Sequence, residues 1–413
     1  MIKIQMSEPG HPKKLIDEGV HTLKKSIRTT LLLCIASMMI VLSACGTNSG
    51  DGQGSKGSGG SGSGGTGGVI KIGMVADLTG KSALTGEFKK RGAQIALDEI
   101  NANGGINGKT IELVIEDDRG TNDGTVSSFQ KIVSNPDVIA VLGPITSTNA
   151  KSISDIAKKT GIPVLIGGTN VGLTTELKNP WFFRIRPHDG YSAQTIADFT
   201  ADKKGHQKIA IIYDTDAFGT AGKDMLISEY KKKGITPTTV EGITAGTKDF
   251  TPTLESIRKS GAEAINTMMT ASADVAQLVI QMRQLGINTD LVGSSSAAQT
   301  TTVKLAGDKL NGIYGANDFA LDQSEEAKQF VDKFQKKYNE LPDLYTGWVY
   351  DSLHILAKII KDKGTDPEQM RQGILALKGF KGVEGEYNFD ENGDGLHQYS
   401  IVKVENGNFV TQK

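Results

Sequence analysis

The residue groupings in this chain that could do chemistry are few, and most fail on spacing. Gly80-Lys81-Ser82 looks like the end of a phosphate-cradling loop, but Val75 holds the position of the first glycine. Asp390, Asn392, Asp394 and Gly395 are spaced as in a calcium loop, yet Ile401 stands where a bidentate glutamate is needed. An Asn- and Gly-rich hairpin turn is the better reading. Gly293-Ser294-Ser295-Ser296-Ala297 lacks the second glycine of a nucleophile elbow. His188, His206, His354 and His397 lack zinc-ligand spacing. With no nucleophile, base and orienter to name, the expectation is a protein without catalytic residues, metal or cofactor. Binding is the chemistry left. Ser147 and Thr148 precede a helix expected to begin near Ala150, which they can cap. A helix N-terminus with spare N–H groups is also an anion site.

The elements that must position these groups alternate. Strand-like runs at Val69–Val75, Ile111–Ile115, Val138–Leu142 and Pro163–Ile166 are separated by helical stretches at Phe88–Ile100, Thr125–Val133 and Ala150–Lys159. A second series runs from Lys208–Tyr213 through Gly222–Lys232, Ala262–Asn266 and Ala273–Leu285 to Leu291–Gly293. Longer helices are expected over Ser324–Tyr338 and Thr346–Lys361, with Glu384–Phe389 and Tyr399–Val404 as a terminal hairpin. This is the βα pattern of parallel sheets, and two series imply two α/β lobes. Ligands of open parallel sheets sit beyond the carboxyl ends of the strands. The loops that matter are therefore Ala76–Gly86, Gly143–Asn149, Gly167–Leu173, Asp214–Gly219, Met268–Ala273 and Gly293–Gln299.

Composition narrows the partners. The chain has 413 residues, 38% of them hydrophobic and 23% charged, with a net charge of -1. No basic face points to nucleic acid. Cys34 and Cys45 both precede the alternating region, so that region holds no internal disulfide. Lys24, Lys25 and Arg28 lead into an apolar run, Leu31–Leu42, of about a dozen residues, short of the ~20 that span a bilayer. Residues 1–44 thus read as an export signal. It ends in Leu42-Ser43-Ala44-Cys45-Gly46, which resembles a bacterial lipobox. That resemblance implies a diacylglycerol thioether on Cys45. Residues 45–68, nearly all glycine, serine and small polar residues, form a flexible tether with a span of roughly 25 Å.

Longer stretches carry a second resemblance: Ile70-Lys71-Ile72-Gly73 with Leu78-Thr79-Gly80, Ile100-Asn101-Ala102-Asn103-Gly104-Gly105-Ile106, and Ile115-Glu116-Asp117-Asp118. Gly143 with Ser147, Thr169-Asn170 with Leu173-Thr174, Phe183-Arg184, Gly242–Gly246 ahead of Asp249-Phe250, and Phe389–Gly395 continue it. Together they are similar to the branched-chain amino-acid-binding family of ABC-transporter solute-binding proteins, with the type I periplasmic-binding-protein fold. The resemblance implies two doubly wound parallel-sheet lobes, a multi-strand hinge, and a ligand in the interlobe cleft. Lobe one is expected over 69–187 plus 315–381 and lobe two over 188–314 plus 382–413.

The resemblance also implies a monomer on the outer face of the cytoplasmic membrane, lipid-anchored, that hands an amino acid or a related carboxylate or amide to an ABC permease. The same fold serves as the sensing part of receptors, so a sensor lipoprotein is the alternative. In the family, the residue matching Ser147 and the loop matching Gly168 and Thr169 hold the ligand carboxylate, and Thr146 beside them is a further candidate contact. The family aromatic falls on Phe218. The acid that pairs with the ligand ammonium falls near Ser295, so either the acid comes from elsewhere, with Asp77, Asp216 and Asp274 as candidates, or the ligand has no α-ammonium. Thr85, Thr270 and Ser294–Ser296 would suit a ligand with several polar groups. Trp348 and Tyr350 could line the cleft, although such residues are more often core.

Overall fold

The computed structural model describes residues 68–412. The expected export signal, Cys45 and nearly all of the expected tether lie outside the described residues. Strands β1 (Val69–Ala76), β2 (Thr110–Asp117), β3 (Val138–Leu142), β4 (Val164–Ile166) and β5 (Phe182–Arg184) form a parallel sheet in the order β2-β1-β3-β4-β5. Ile72, Met74 and Leu142 bury into a core shared with helices Ala83–Ala102 and Leu344–Lys363. Val75, Val141 and Ile166 bury on the other face, against Asn122–Val133 and Ser147–Thr160. Cover on both faces is why these strands are nearly continuous apolar runs.

The second sheet takes β6 (Ile209–Asp214), β7 (Thr239–Ile243), β8 (Ala264–Met268), β9 (Asp290–Gly293) and β10 (Tyr314–Asn317). A two-residue pair, β11 (Phe380–Lys381) and β12 (Glu386–Tyr387), stands apart, and β13 (Ser400–Glu405) and β14 (Asn408–Thr411) complete the second sheet. Its order is β14-β13-β10-β9-β8-β6-β7, with β13 and β14 antiparallel to their neighbours.

Three segments differ from the sequence expectation. The terminal hairpin is β13 with β14, not Glu384–Phe389 with Tyr399–Val404. Gly315–Asn317, expected in lobe one, pairs in the second sheet. Val383, Tyr387, Phe389 and Leu396, expected in lobe two, pack into the first sheet's core. The reason is a long-range anchor: Asp351 accepts the N–H groups of Val383 and Glu384 at 2.9 Å each. The Asp390–Gly395 segment is a turn closed on itself, with Asp390 Oδ1 accepting from Asn392 N and Asp394 N at 2.9 Å. The chain thus passes between the sheets after β5, after β10 and after Leu396. Among the described residues no helix is long and apolar enough to cross a membrane.

Candidate functional site

Loops beyond the carboxyl ends of strands in both sheets line a cavity of about 690 Å³, its opening to solvent included. Thr85 follows β1, Thr146 and Ser147 follow β3, and Thr169 follows β4; all line it from the first sheet. Phe218 follows β6, Thr270 follows β8, and Ser294–Ser296 follow β9; these line it from the second. Thr148 Oγ1 accepts from Ala217 N at 3.3 Å and Asn170 Nδ2 donates to Ala217 O at 2.7 Å, so the two sides touch across the cleft.

The anion-facing loops are locally over-determined. The helix begins at Ser147, three residues before the expected Ala150, because Thr146 is the cap and accepts from Asn149 N at 3.2 Å. Ser147 is therefore no cap. Its Oγ accepts from Asn170 N at 3.1 Å, which joins the loops after β3 and β4 and leaves its O–H free to donate. The first-turn N–H groups of this helix have no acceptor within it. Gly168 does not line the cavity, but a Cβ there would sit 3.1 Å from Ser147 Cα, so glycine lets the loops close.

Each acid proposed from sequence is already engaged. Asp77 lines the cavity but pairs with buried Lys89. Asp216 caps the helix Ala217–Lys232 through Gly219 N at 2.7 Å and accepts from Thr270 Oγ1 at 3.0 Å. Asp274 accepts from Gly246 N at 2.6 Å. The serine wall is likewise satisfied within the protein, since Ser294 and Ser296 both donate to Met269 O, at 3.0 and 2.6 Å. Ser295 instead accepts from Arg186 Nη2 at 3.0 Å.

The sequence reading missed Arg186, Asp189, Ser192, Tyr345 and Tyr399, all on the cavity wall. Arg186 makes a two-point pair with Asp318. Asp189 is 1% exposed, and its Oδ2 has no partner among the described residues. Burial pushes its carboxyl up to about 7, against a hydrogen bond with Thr169 and the nearby charges of Arg184 and Arg186. A signal for the first three existed: they follow β5 as the other site loops follow their strands, yet this loop was not among those singled out from the sequence. Tyr345 and Tyr399 are brought in from distant sequence and had no local signal. Trp348 and Tyr350 are buried in the first sheet's core, and Tyr345, one turn before Trp348, faces the cavity instead. Among the described residues no group of three or more His, Cys, Asp or Glu is placed to hold a metal.

Comparison with known proteins agrees with this architecture. Residues 69–408 match the family model described as periplasmic binding protein. The chain is 26% identical to a leucine-, isoleucine-, valine-, threonine- and alanine-binding protein of Pseudomonas aeruginosa, over 79% of this chain and 87% of the relative. It is 27% identical to Leu/Ile/Val-binding protein homolog 3 of Brucella melitensis, over 83% of this chain and 93% of the relative. The crystal structure of the branched-chain amino-acid transporter substrate-binding protein LivJ from Streptococcus pneumoniae, in complex with isoleucine, superposes with a TM-score of 0.77. It is 27% identical and covers 83% of this chain and 100% of its own.

Proposed function

The chain belongs to the periplasmic binding protein family and is a solute-binding protein of the ABC-importer type, not an enzyme; on that premise we propose that it captures an amino acid or a related small carboxylate or amide between its two sheets. The observation that carries this reading is the cavity itself, walled by strand-end loops of both sheets and enclosed where Thr148 and Asn170 meet Ala217. The ligand carboxylate would lie at Ser147 and Thr169, where a free hydroxyl and first-turn N–H groups converge. Phe218 would pack on the ligand's apolar part, and Thr85 and Ser295 would flank it. The relatives named for leucine, isoleucine and valine support an amino-acid-like ligand.

Capture would work by population shift. A ligand that touches both walls favours the closed form by the difference between its affinities for closed and open forms, and the permease would read the closed shape. We further propose that Cys45 carries a lipid which, with the tether of residues 45–68, holds the protein at the outer face of the cytoplasmic membrane. The test is a thermal-shift screen against amino acids, carboxylates and amides. A ligand at 100 times its dissociation constant adds about 2.7 kcal/mol of stability. A screen in which none of these classes raises the melting temperature would overturn the reading.

A further inference from the structure

The helix Asp189–Ala197 is capped by a group that a proton would disable. His188 is its N-cap, and the ring Nδ1 accepts from Gly190 N at 3.0 Å. A Cβ on residue 190 would sit 2.8 Å from His188 Cε1, so glycine is what lets the ring lie against that N–H. An accepting Nδ1 carries no proton, which fixes a neutral ring with its hydrogen on Nε2. The capped turn is also cavity wall: Asp189 and Ser192 line the cavity, and Asp189 N donates to Thr169 O at 2.8 Å.

The same ring sits where two crossings between the sheets meet. His188, on the crossing after β5, stacks on Tyr191 with ring centres 4.2 Å apart. The Tyr191 hydroxyl lies 3.4 Å from Nδ1 of His397, on the crossing after Leu396, and Tyr399 of that crossing donates to Pro187 O at 2.9 Å. His397 Nε2 stands 3.1 Å from Asn388 O, which can only accept, so the neutral His397 ring also presents a bare Nδ1. The two histidines differ in what a proton does to them. The Tyr191 hydroxyl can turn and accept from a protonated His397, whereas Gly190 N–H can only donate and would face a protonated His188 donor to donor.

The surroundings of His188 oppose a proton as well. Burial holds the imidazole below its ordinary value of 6.5, and Arg184 on β5 and His397 act in the same direction. Asp394 and Asp390, on the turn before the last crossing, act against them, but Asp394 is already paired with Arg184 at 2.8 Å. The positive end of the helix adds to the cost of a cation at its cap.

Resting on the reading of this cavity as a solute site, we infer that His188 makes the site pH-responsive: neutral, it caps the cavity-wall helix and joins the first crossing to the last; protonated, it lets go of Gly190 and the wall loosens, so that acidification releases the solute. Because the capped form disfavours the proton, its advantage is complete above pH 6.5 and shrinks as pH falls toward the lowered value.

Two measurements on the full chain test this, the first without solute. Amide hydrogen exchange, corrected for intrinsic rate, should show protection at residues 190–192 falling about tenfold from pH 7.5 to 5.5, the span commanded by a released histidine of pKa about 6.5. His188→Asn keeps a capping oxygen that does not titrate and should lose that fall. Asp189, pushed up to about 7 by burial, titrates in the same range but is common to both proteins, so the difference between them reports His188. His188→Ala should be poorly protected at every pH, and His397→Gln should keep the native profile. Calorimetry with leucine, for which a relative is named, is the second measurement. Binding about tenfold weaker at pH 5.5 than at 7.5 is expected in the native chain and not in His188→Asn. Protection that is flat in the native chain, or that falls equally in His188→Asn, overturns the inference, as does one leucine pH profile shared by the two proteins. Absence of leucine binding at every pH counts against leucine as the solute, and the exchange data then decide the inference by themselves.

Discussion

Arg186 and Asp318 form a buried two-point ion pair that joins the chain's first departure from one sheet to its departure from the other. The guanidinium Nε and Nη2 reach both carboxylate oxygens, the second at 3.1 Å, and the side chains are 6% and 0% exposed. Arg186 follows β5 and Asp318 follows β10, so the pair ties two of the three crossings together at the cavity wall. The same guanidinium lies 5.2 Å from the centre of the Tyr345 ring and donates to Ser295. The geometry of the crossings is thereby coupled to groups that line the cavity.

Asp318→Asn leaves that guanidinium buried without its counter-charge. The expected loss is about 3 to 5 kcal/mol of folding stability, since removing one member strands the other. Urea denaturation measures it, and a change below about 1 kcal/mol would show that water or another group replaces the carboxylate.

Ser147→Ala removes a hydroxyl that accepts from Asn170 N and is free to donate into the cavity. Affinity for a carboxylate ligand should fall by about 1 to 3 kcal/mol. Calorimetry checks this beside a ligand-free melt, which separates lost ligand contact from the lost tie between loops. Unchanged affinity in a folded variant would remove Ser147 from the site.

Gly168→Ala places a Cβ 2.8 Å from Leu173 Cδ1 and 3.1 Å from Ser147 Cα. The leucine end can turn aside, but the backbone at Ser147 must shift. Ligand affinity is expected to fall by about tenfold, because a donor displaced by a few tenths of an ångström loses alignment. The melting temperature of the ligand-free protein should change little, and a binding isotherm identical to the native one would contradict this account.

Burial raises the Asp189 carboxyl from 3.8 to about 7. Between these values the native state binds more protons than the unfolded one, so this group's contribution to stability falls as pH rises through that window and levels off above it. Asp214 and Asp351, pushed up by burial to about 7 and about 6, slope the same way. Asp189→Asn should therefore flatten the pH dependence only in part, and the difference between the two ligand-free proteins, followed by urea melts from about pH 4 to 8, isolates Asp189. Parallel curves for the two would mean that Asp189 is not buried as a titrating acid.

Cys45→Ser should abolish lipid attachment. Incorporation of labelled palmitate is expected to vanish, and the protein should move from the membrane fraction to the soluble one. Continued pelleting with membranes, without label, would point to an uncleaved apolar leader as the anchor.

The alternation of apolar strands and amphipathic helices was legible because a parallel strand covered on both faces must be apolar along its length, a local property. It placed Ser147, Thr169, Phe218 and Ser295 in loops at the strands' carboxyl ends, and those loops do meet around one cavity. The segment after Gly382 was misjudged, because its place depends on Asp351 about 30 residues earlier rather than on its own pattern.

Residue types and spacing therefore determined the layered architecture and the end of each sheet that carries the site. Only the tertiary structure decided which polar groups remain free there. Asp77 is paired with Lys89, Asp216 with its own helix and Thr270, and Arg186 with Asp318, whereas Asp189 keeps one carboxylate oxygen without a partner among the described residues. A carboxylate has the same chemistry at each of these positions. Its availability to a ligand depends on which distant groups packing brings within hydrogen-bond reach, and that information is not local to the sequence.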